Sequence, residues 1–317
     1  MKPRPFRFAV QSSSPPTQDW LGFVRRLEAL GYATLFCPDH FGSQLDPTVY
    51  LSAAAAATTR LRVGSLVYGI DYRHPVIYAK QAASLHLLSG GRHEFGLGAG
   101  WMETDYEQAG LSYDSIGTRI ERLEEALEIA HGMWKQDGFS FSGKHYTIRA
   151  IPQAAKLRGG ERPIVLIGGG GKRVLSVAGR WADIVGINPS LPEGKITPTT
   201  PADLRPERVR EKVSWARAAA EKAGRDPNDI EFQSLTFVLA ITDDPKGLRT
   251  ALAGNTGMSV DEVADCPLFL TGSAAEIQDR LVKRRDETGL SYIVIQGREM
   301  EQIERFADEV MKPLASA

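Results

Sequence analysis

The sequence has little of several features that would mark particular classes of protein. It contains two cysteines in 317 residues, Cys37 and Cys266, with neither a disulfide framework nor the spacing of zinc ligands. It also lacks an apolar run of the roughly 18 residues that a membrane-spanning helix needs. Residues 1–8 are basic but lack the apolar stretch of a secretory signal peptide. These absences predict a cytoplasmic protein without a membrane partner.

Charge of one sign is also scarce. The formal net charge is −1, from 38 Lys and Arg against 39 Asp and Glu, and both signs are interspersed. Such a surface has no attraction for nucleic acid. The hydrophobic fraction of 42% is enough for a sizeable core, which excludes disorder. Five of the histidines share no ligand spacing and predict no metal site: His74, His86, His93, His131 and His145.

Strand-like and helix-like segments alternate from end to end, as in α/β proteins. Eight segments are typical of strands, each followed by a helix: 6–11, 34–37, 61–68, 94–97, 164–167, 184–187, 232–241 and 292–295. This count predicts a (β/α)₈ TIM barrel over residues 1–317 as one domain, with a small β-hairpin at 139–148 and a long loop insertion at 188–206. A doubly wound sheet would need a glycine-rich turn after its first strand, but residues 11–16 read Gln-Ser-Ser-Ser-Pro-Pro.

Active sites of such barrels form at the carboxyl ends of the strands, where Asp39 and His40 follow the second strand. Pro38 ends that strand, so both polar side chains are expected at the rim. A histidine beside a carboxylate can be held in one tautomer and can pass a proton near neutral pH. The alternative is that Asp39 caps a turn and His40 only packs.

A glycine-rich segment follows the fourth strand and ends in Gly98-Ala99-Gly100-Trp101. Alternate glycines let a backbone approach a flat ring closely, and the indole could stack on that ring. The alternative is a tight turn that requires positive φ.

A second glycine-rich segment, Gly168-Gly169-Gly170-Gly171-Lys172-Arg173, joins the fifth strand to its helix. Free amides at a helix N-terminus and two cations form a cradle for an anion. The alternative is a flexible connection with a solvated basic start. Cations are unfavourable at that end of a helix, and a bound phosphate would relieve the mismatch.

The third strand contains Gly64 and is followed directly by Gly69, which indicates a bulge or the close approach of a ligand. Arg73 follows soon after. Its guanidinium could meet an anion or pair with a carboxylate of a helix.

In this order the clusters resemble the luciferase-like monooxygenase superfamily of flavin and deazaflavin barrels, and within it the branch that uses coenzyme F420. The match runs over most of the chain. Its landmarks are Asp39-His40-Phe41, Arg73-His74-Pro75, Leu88-Ser89-Gly90-Gly91-Arg92, Gly96-Leu97-Gly98-Ala99-Gly100-Trp101, Ile167-Gly168-Gly169-Gly170-Gly171, and Arg119 with Leu123-Glu124-Glu125-Ala126.

The resemblance implies a role for each cluster. Asp39 and His40 match the pair that contacts the deazaflavin and the substrate, and Leu66-Val67 matches a bulge where relatives carry a non-prolyl cis peptide. Two further segments match a ring-lining loop and a phosphate cradle: Gly98, Ala99, Gly100 and Trp101, and then Gly168, Gly169, Gly170, Gly171 and Lys172. Trp101 stands where sugar-phosphate dehydrogenases of this branch carry a carboxylate, which argues against sugar-phosphate oxidation.

The resulting hypothesis is hydride transfer from reduced F420 to an activated C=C or C=N bond of an enone, imine or dehydroamino-acid substrate, either a small molecule or a peptide. His40 would be the acid or base, oriented by Asp39, with Gln11, Tyr68 and Trp101 walling the substrate pocket. The alternatives are an FMN-dependent monooxygenase and a barrel that only binds the coenzyme. By analogy with relatives, a homodimer is expected.

Overall fold

Eight parallel strands close into a barrel, which confirms the predicted fold class. The computed structural model describes residues 3–14, 18–157, 161–191, 194–297 and 299–316. Its strands, in chain order, are β1 (Arg7–Gln11), β2 (Thr34–Cys37), β3 (Arg62–Ser65), β4 (Tyr68–Gly69), β5 (His93–Gly98), β6 (Phe139–Ser142), β7 (Thr147–Ile151), β8 (Ile164–Gly169), β9 (Ile184–Ile187), β10 (Glu231–Thr236), β11 (Val238–Ile241), β12 (Phe269–Gly272) and β13 (Leu290–Gln296).

The barrel order is β3-β2-β1-β13-β10-β9-β8-β5, and pairing of β3 and β4 with β5 closes it. The third strand of the barrel is therefore interrupted, with β3 and β4 on either side of residues 66–67. The remaining strands form two small sheets: β6 and β7 make the antiparallel hairpin that the sequence predicts, and β11 pairs in parallel with β12.

Helices cover the outside of the barrel. They are α1 (Trp20–Leu30), α2 (Pro47–Ala57), α3 (Pro75–Leu88), α4 (Glu103–Ala109), α5 (Ile116–Lys135), α6 (Lys172–Trp181), α7 (Pro206–Lys222), α8 (Lys246–Thr256), α9 (Val260–Asp265), α10 (Ala274–Thr288), α11 (Met300–Phe306) and α12 (Lys312–Ser316). A π-helical turn, Ala307–Met311, joins the last two. None of the described helices is long and apolar enough to cross a membrane.

Local sequence explains the ends of these helices. At α1 the Asp19 carboxylate accepts a hydrogen bond from the Gly22 amide, 3.0 Å away, and satisfies one of the free N–H groups of the first turn. Gly31 ends the helix at a φ of 89°, a left-handed conformation that favours glycine. Between these ends, Val24 and Leu27 are fully buried and attach the helix to the barrel.

Besides the interrupted third strand and the unassigned helix α4, three features of the fold differ from the sequence prediction. The seventh predicted strand, 232–241, is split into β10 and β11 at Phe237. Residues 242–273, to which no element was assigned, contain α8, α9 and β12. The predicted loop 188–206 includes a short 3-10 helix, Thr200–Leu204, and its last residue already begins α7; residues 192 and 193 lie outside the described part.

The amino-terminal end of the barrel is filled by a buried ionic network. The Glu94 carboxylate, which is not exposed at all, forms ion pairs with Arg7 and with Arg62. Tyr292 Oη lies 2.9 Å from Glu94 Oε2 inside the barrel. Because this end is occupied by the protein's own side chains, the opposite end, where the strands finish, is the one available for a site.

Candidate active site

Five residues predicted to bind coenzyme or substrate meet where β1, β3, β5 and β8 end. The side chain of Gln11 donates a hydrogen bond from Nε2 to the Leu66 carbonyl, 3.0 Å away. A Cβ atom added to Gly98 would lie 2.6 Å from Val67 Cγ2, and one added to Gly168 would lie 3.5 Å from Val67 Cγ1. Leu66 and Val67 in turn pack on the apolar interior of the barrel. Together these residues form the floor of the barrel mouth.

The peptide between Leu66 and Val67 is cis, as the resemblance implies. This segment occupies the space beside the first two glycines of the β5 segment, because a Cβ on Gly96 would lie 1.9 Å from the Ser65 carbonyl oxygen. Gly96 and Gly98 are therefore required by the close approach of the protein's own interrupted strand, a reason that the sequence analysis did not consider.

His40 is at the rim of the mouth, bonded to a carboxylate that the sequence analysis did not assign. Its Nδ1 lies 2.6 Å from Asp105 Oδ2, on helix α4. Asp105 is only 3% exposed, while the His40 side chain is 20% exposed. With the Nδ1–H donating to the carboxylate, Nε2 is the ring nitrogen available to a substrate.

Two more groups hold the Asp105 carboxylate in place. Tyr72 Oη donates to Oδ2 over 3.1 Å, and the Phe41 amide donates to Oδ1 over 3.4 Å. Burial and the adjacent Asp105 carboxylate raise the pKa of Tyr72 far above its usual range, so its hydroxyl keeps its proton and remains a donor. Asp105 is thus a buried, multiply bonded acceptor that can fix the orientation of the imidazole.

Trp101 lies beside His40, as the sequence analysis expects. The two ring centroids are 5.7 Å apart and the ring planes are nearly perpendicular, at 86°. Tyr113 Oη donates to the Trp101 carbonyl over 2.9 Å. Gly194, from the 188–206 loop, packs on both at a φ of +66°; a Cβ there would lie 2.8 Å from that carbonyl oxygen. The indole is therefore carried by a backbone segment that is held on two sides.

The prediction that Asp39 orients His40 is wrong. Asp39 is 5% exposed, and its Oδ2 accepts hydrogen bonds from Arg73 Nη1 over 2.9 Å and from the Gly69 amide over 3.3 Å. Burial raises the pKa of Asp39, and the Arg73 guanidinium opposes that effect. Arg73 also bonds Asp46 over 2.8 Å, so it pairs with carboxylates of the protein, one of the two alternatives that the sequence left open.

Tyr68 does not line the mouth, which corrects its assignment to the substrate pocket. It is 2% exposed, and its ring centroid lies 5.3 Å from that of Tyr78 and 6.0 Å from that of Phe95. These rings belong to the core between the barrel and its helices. The side chain points outward from β4, on the face opposite to the barrel interior.

The four consecutive glycines at the end of β8 and just after it lie in different surroundings. A Cβ on Gly169 would lie 2.4 Å from Val174 Cγ1, and one on Gly170 would lie 2.3 Å from the Pro189 carbonyl. The neighbours of Gly171 are more distant, with Ser190 Oγ at 3.8 Å from an added Cβ. Only part of the segment is therefore open to a ligand.

The start of helix α6 has the features of an anion site. Gly171 is its N-cap and offers no side chain to bond the free amides of the first turn. Lys172 and Arg173 follow and are exposed. Partial positive charge from the amides lies next to the exposed Lys172, which suits a phosphate. Arg173 Nη2 lies 3.4 Å from Glu121 Oε1 on α5, so part of its charge is compensated there. Among the described residues, no cluster of three or more His, Cys, Asp or Glu side chains could hold a metal ion.

Asp105 and Tyr72 are the functional candidates that sequence reasoning missed. The available signal was weak: Asp105 lies four residues after Trp101, at the start of a seven-residue helix too short to show a period. Tyr72 lies in a three-residue 3-10 turn, Ile70–Tyr72, for which the sequence has no periodic signal at all.

The chain belongs to the luciferase-like monooxygenase family, whose sequence model matches residues 4–285. Members of this family are oxidoreductases and monooxygenases. Among curated relatives, an F420-dependent glucose-6-phosphate dehydrogenase of Amycolatopsis mediterranei is 27% identical over 175 residues, 52% of each chain. A phthiodiolone/phenolphthiodiolone dimycocerosates ketoreductase of Mycobacterium bovis is 31% identical over 209 residues, 64% of this chain and 49% of the relative. The chain thus matches about half the length of these two relatives.

Solved structures share the fold over nearly the whole chain. The coenzyme F420-dependent tetrahydromethanopterin reductase of Methanopyrus kandleri superposes with a TM-score of 0.77 at 17% identity, covering 98% of this chain and 100% of the reductase. The oxygenating constituent of 3,6-diketocamphane monooxygenase of Pseudomonas putida, solved with FMN, gives 0.73 at 14% identity, covering 99% and 98%. Proteins of this architecture thus include both deazaflavin-dependent and FMN-containing enzymes.

Proposed function

We propose that this chain is a coenzyme F420-dependent reductase that transfers a hydride to an activated C=C or C=N bond while His40 supplies a proton. The observation that carries the proposal is the bonded pair of His40 and Asp105 at the rim of the barrel mouth. The proposal goes beyond family membership in naming the coenzyme, the direction of transfer and the type of bond reduced.

The first support comes from the fit of the coenzyme class to the residues present. The uncapped start of α6, with the exposed Lys172 beside it, suits a phosphate of the coenzyme. The floor formed around Val67 is apolar and suits the face of a flat ring. When bound, reduced deazaflavin supplies the hydride that the double bond takes up.

The second support is the chemistry available at His40. The Asp105 carboxylate accepts the Nδ1–H and fixes the ring, so a proton on Nε2 can pass to the atom next to the one that receives the hydride. The double bond gains one hydride and one proton and is reduced. His40 regains its proton from solvent, to which its side chain is 20% exposed.

The surroundings of His40 favour an uncharged substrate. Trp101 presents an aromatic ring beside the imidazole. Arg73, which follows the β4 turn, is already bonded to two carboxylates, Asp39 and Asp46, and has little charge left to attract an anion. An enone, an imine or a dehydroamino-acid residue of a peptide fits these surroundings better than a sugar phosphate does.

The second candidate is an FMN-dependent monooxygenase, favoured by the FMN-containing neighbour of the same fold. The two candidates are separated by titrating purified protein with F420 and with FMN, following the fluorescence of each. We expect F420 to bind at least roughly tenfold more tightly. Tight binding of FMN but not of F420, together with incorporation of oxygen into a substrate when reduced FMN is supplied, would favour the second candidate instead.

Chemistry is then tested with reduced F420 and a panel of enones, imines and dehydropeptides, following the return of the oxidised absorbance. His40→Ala should slow transfer at saturating substrate by about 10²- to 10⁴-fold, the usual contribution of a general acid. The matched control is His145→Ala, because His145 pairs with Glu121 on α5 and does not contact His40. Wild-type turnover by the His40 variant would disprove the assigned role, and tight binding without transfer to any acceptor would favour a barrel that only binds coenzyme.

A further inference from the structure

Lys212, on helix α7, has a fully buried side chain that donates one hydrogen bond to the turn before α6 and one to the 188–206 loop. Its Nζ donates to the Gly170 carbonyl over 2.5 Å and to Asp203 Oδ2 over 2.7 Å, and the side chain has no exposure. A lysine is rarely buried in this way unless its ammonium group is paired. The burial lowers the pKa of Lys212, an effect that Asp203 opposes.

Asp203 extends this contact into the 188–206 loop. Its Oδ2 also accepts a hydrogen bond from the Ser190 amide over 2.8 Å, and its Oδ1 accepts from Arg208 Nε over 3.0 Å. Burial would raise the pKa of Asp203, but the bonds from Lys212 and from the Ser190 amide outweigh it and keep the pKa below its usual range. One ammonium group therefore ties the loop to the glycine turn before α6.

The bond to Gly170 sets the direction of the next amide. The Gly170 carbonyl and the Gly171 N–H belong to one trans peptide, in which the two groups point in opposite directions. Because the carbonyl is bonded to Lys212, the Gly171 N–H points away from α7. No described residue accepts a hydrogen bond from it. The turn at Gly170 also packs against the backbone of the 188–206 loop, since a Cβ on Gly170 would lie 2.3 Å from the Pro189 carbonyl oxygen.

We propose that Lys212 is a positioning residue of the coenzyme site: through Gly170 and Asp203 it aims the amides at the start of α6 toward the bound anion. The inference rests on the proposed function for the identity of that anion, the coenzyme phosphate. The orientation of the turn, in contrast, is a property of the protein without ligand and can be measured separately.

The test compares wild type with two variants, Lys212→Met and Asp203→Asn. Asparagine is isosteric with aspartate and keeps a neutral acceptor, so Asp203→Asn still tests the proposal if Lys212→Met fails to fold. The matched control is Lys222→Met, the same change at an exposed position in the last turn of the same helix. Two quantities are measured: hydrogen–deuterium exchange without ligand, and equilibrium binding of F420 and of FMN.

Exchange reports on the turn itself. The amides of Asn188, Ser190 and Leu175 bond Gly169, Asp203 and Gly171, so they lose protection if the tie is released. We expect them to exchange at least roughly tenfold faster in Lys212→Met, and by a smaller factor in Asp203→Asn, while helix α1 stays unchanged. Uniform acceleration that includes α1 would mean general destabilisation and would overturn the positioning role, as would no change at these amides.

Binding reports on the consequence for the coenzyme. The Kd of F420 should rise at least roughly tenfold in Lys212→Met and stay within twofold in Lys222→Met. Wild-type affinity in both Lys212→Met and Asp203→Asn would overturn the inference. If wild type bound neither F420 nor FMN, the proposed function would fail, and exchange at the three amides would alone decide whether Lys212 aligns the turn.

Discussion

Replacing Asp105 with asparagine should change which nitrogen of His40 carries the proton. The Asp105 carboxylate is 3% exposed and lies 2.6 Å from Nδ1, so its hydrogen bond is charge-assisted and little screened by water. Such a bond contributes roughly 1.5–3 kcal/mol, about twice a neutral one. Asparagine keeps a neutral acceptor, so the variant loses about 1.5 kcal/mol of preference for the Nδ1–H tautomer, which corresponds to a roughly tenfold change in the tautomer ratio.

The assay is ¹⁵N NMR of protein labelled at histidine, recorded at alkaline pH where the imidazole is neutral. Wild type should show His40 with a protonated Nδ1, and Asp105→Asn should show a mixture shifted toward protonated Nε2. The matched control is Asp114→Asn, the same isosteric change in a half-exposed carboxylate that pairs with Arg122. An unchanged His40 spectrum in Asp105→Asn would refute the orienting role, and it would do so without any assumption about coenzyme or substrate.

Three further predictions follow from other contacts. Gly170→Ala should displace the 188–206 loop, because the new Cβ would meet the Pro189 carbonyl at 2.3 Å; F420 affinity should fall at least roughly tenfold in a fluorescence titration. Arg73→Met should lower the free energy of unfolding in urea by about 3 kcal/mol, because it leaves the Asp39 carboxylate buried and unpaired. His93→Phe should flatten the acid limb of the stability curve: burial lowers the pKa of His93 to about 4, so from pH 6.5 downward the unfolded chain takes up a proton that the folded state excludes, and stability falls by about 3 kcal/mol.

A control variant or a further measurement tests each of these three expected effects. Gly247→Ala adds a Cβ with nothing within 4 Å and should bind F420 as wild type does. Adding Asp39→Asn to Arg73→Met should recover part of the lost stability, and a double variant as unstable as the single one would contradict the charge argument. For His93→Phe, unfolding is measured from pH 7 to pH 4; a slope parallel to that of wild type would mean that another group is responsible.

The barrel could be predicted because its strands are short apolar segments with clear ends. Strand β2, for example, is fully buried and stops before Pro38, which has no N–H to continue the ladder. Residues 242–273 lacked such a signal. Helix α8 has only three apolar residues at helical spacing, Leu248, Ala251 and Leu252, and its buried side chains, Arg249 and Thr256, are polar. Helix α9 has six residues, too few to show a period.

The sequence predicted which residues lie at the barrel mouth but not which carboxylate bonds His40. Gln11, His40 and Trp101 were found because a position at or just after the end of a strand places them at the mouth whatever the details of packing. The partner of His40 was not, because neighbours in an extended segment point to opposite sides, so Asp39 and His40 diverge although they are adjacent. The pairing with Asp105, 65 residues away, depends on the direction in which α4 leaves β5, and local sequence does not encode that direction.

Although the Asp39 and His40 side chains point in different directions, a chain of contacts links them. Asp39 turns into the helix layer and bonds both the Gly69 amide and Arg73. These two residues bracket the turn that carries Tyr72, and the Tyr72 hydroxyl bonds the same Asp105 oxygen that accepts the His40 proton. Asp39 is therefore connected to the imidazole only indirectly, through a chain of three contacts, and its own charge is compensated by Arg73. A carboxylate adjacent to a histidine in sequence can in this way bond the backbone around it, while the direct bond to the imidazole comes from Asp105.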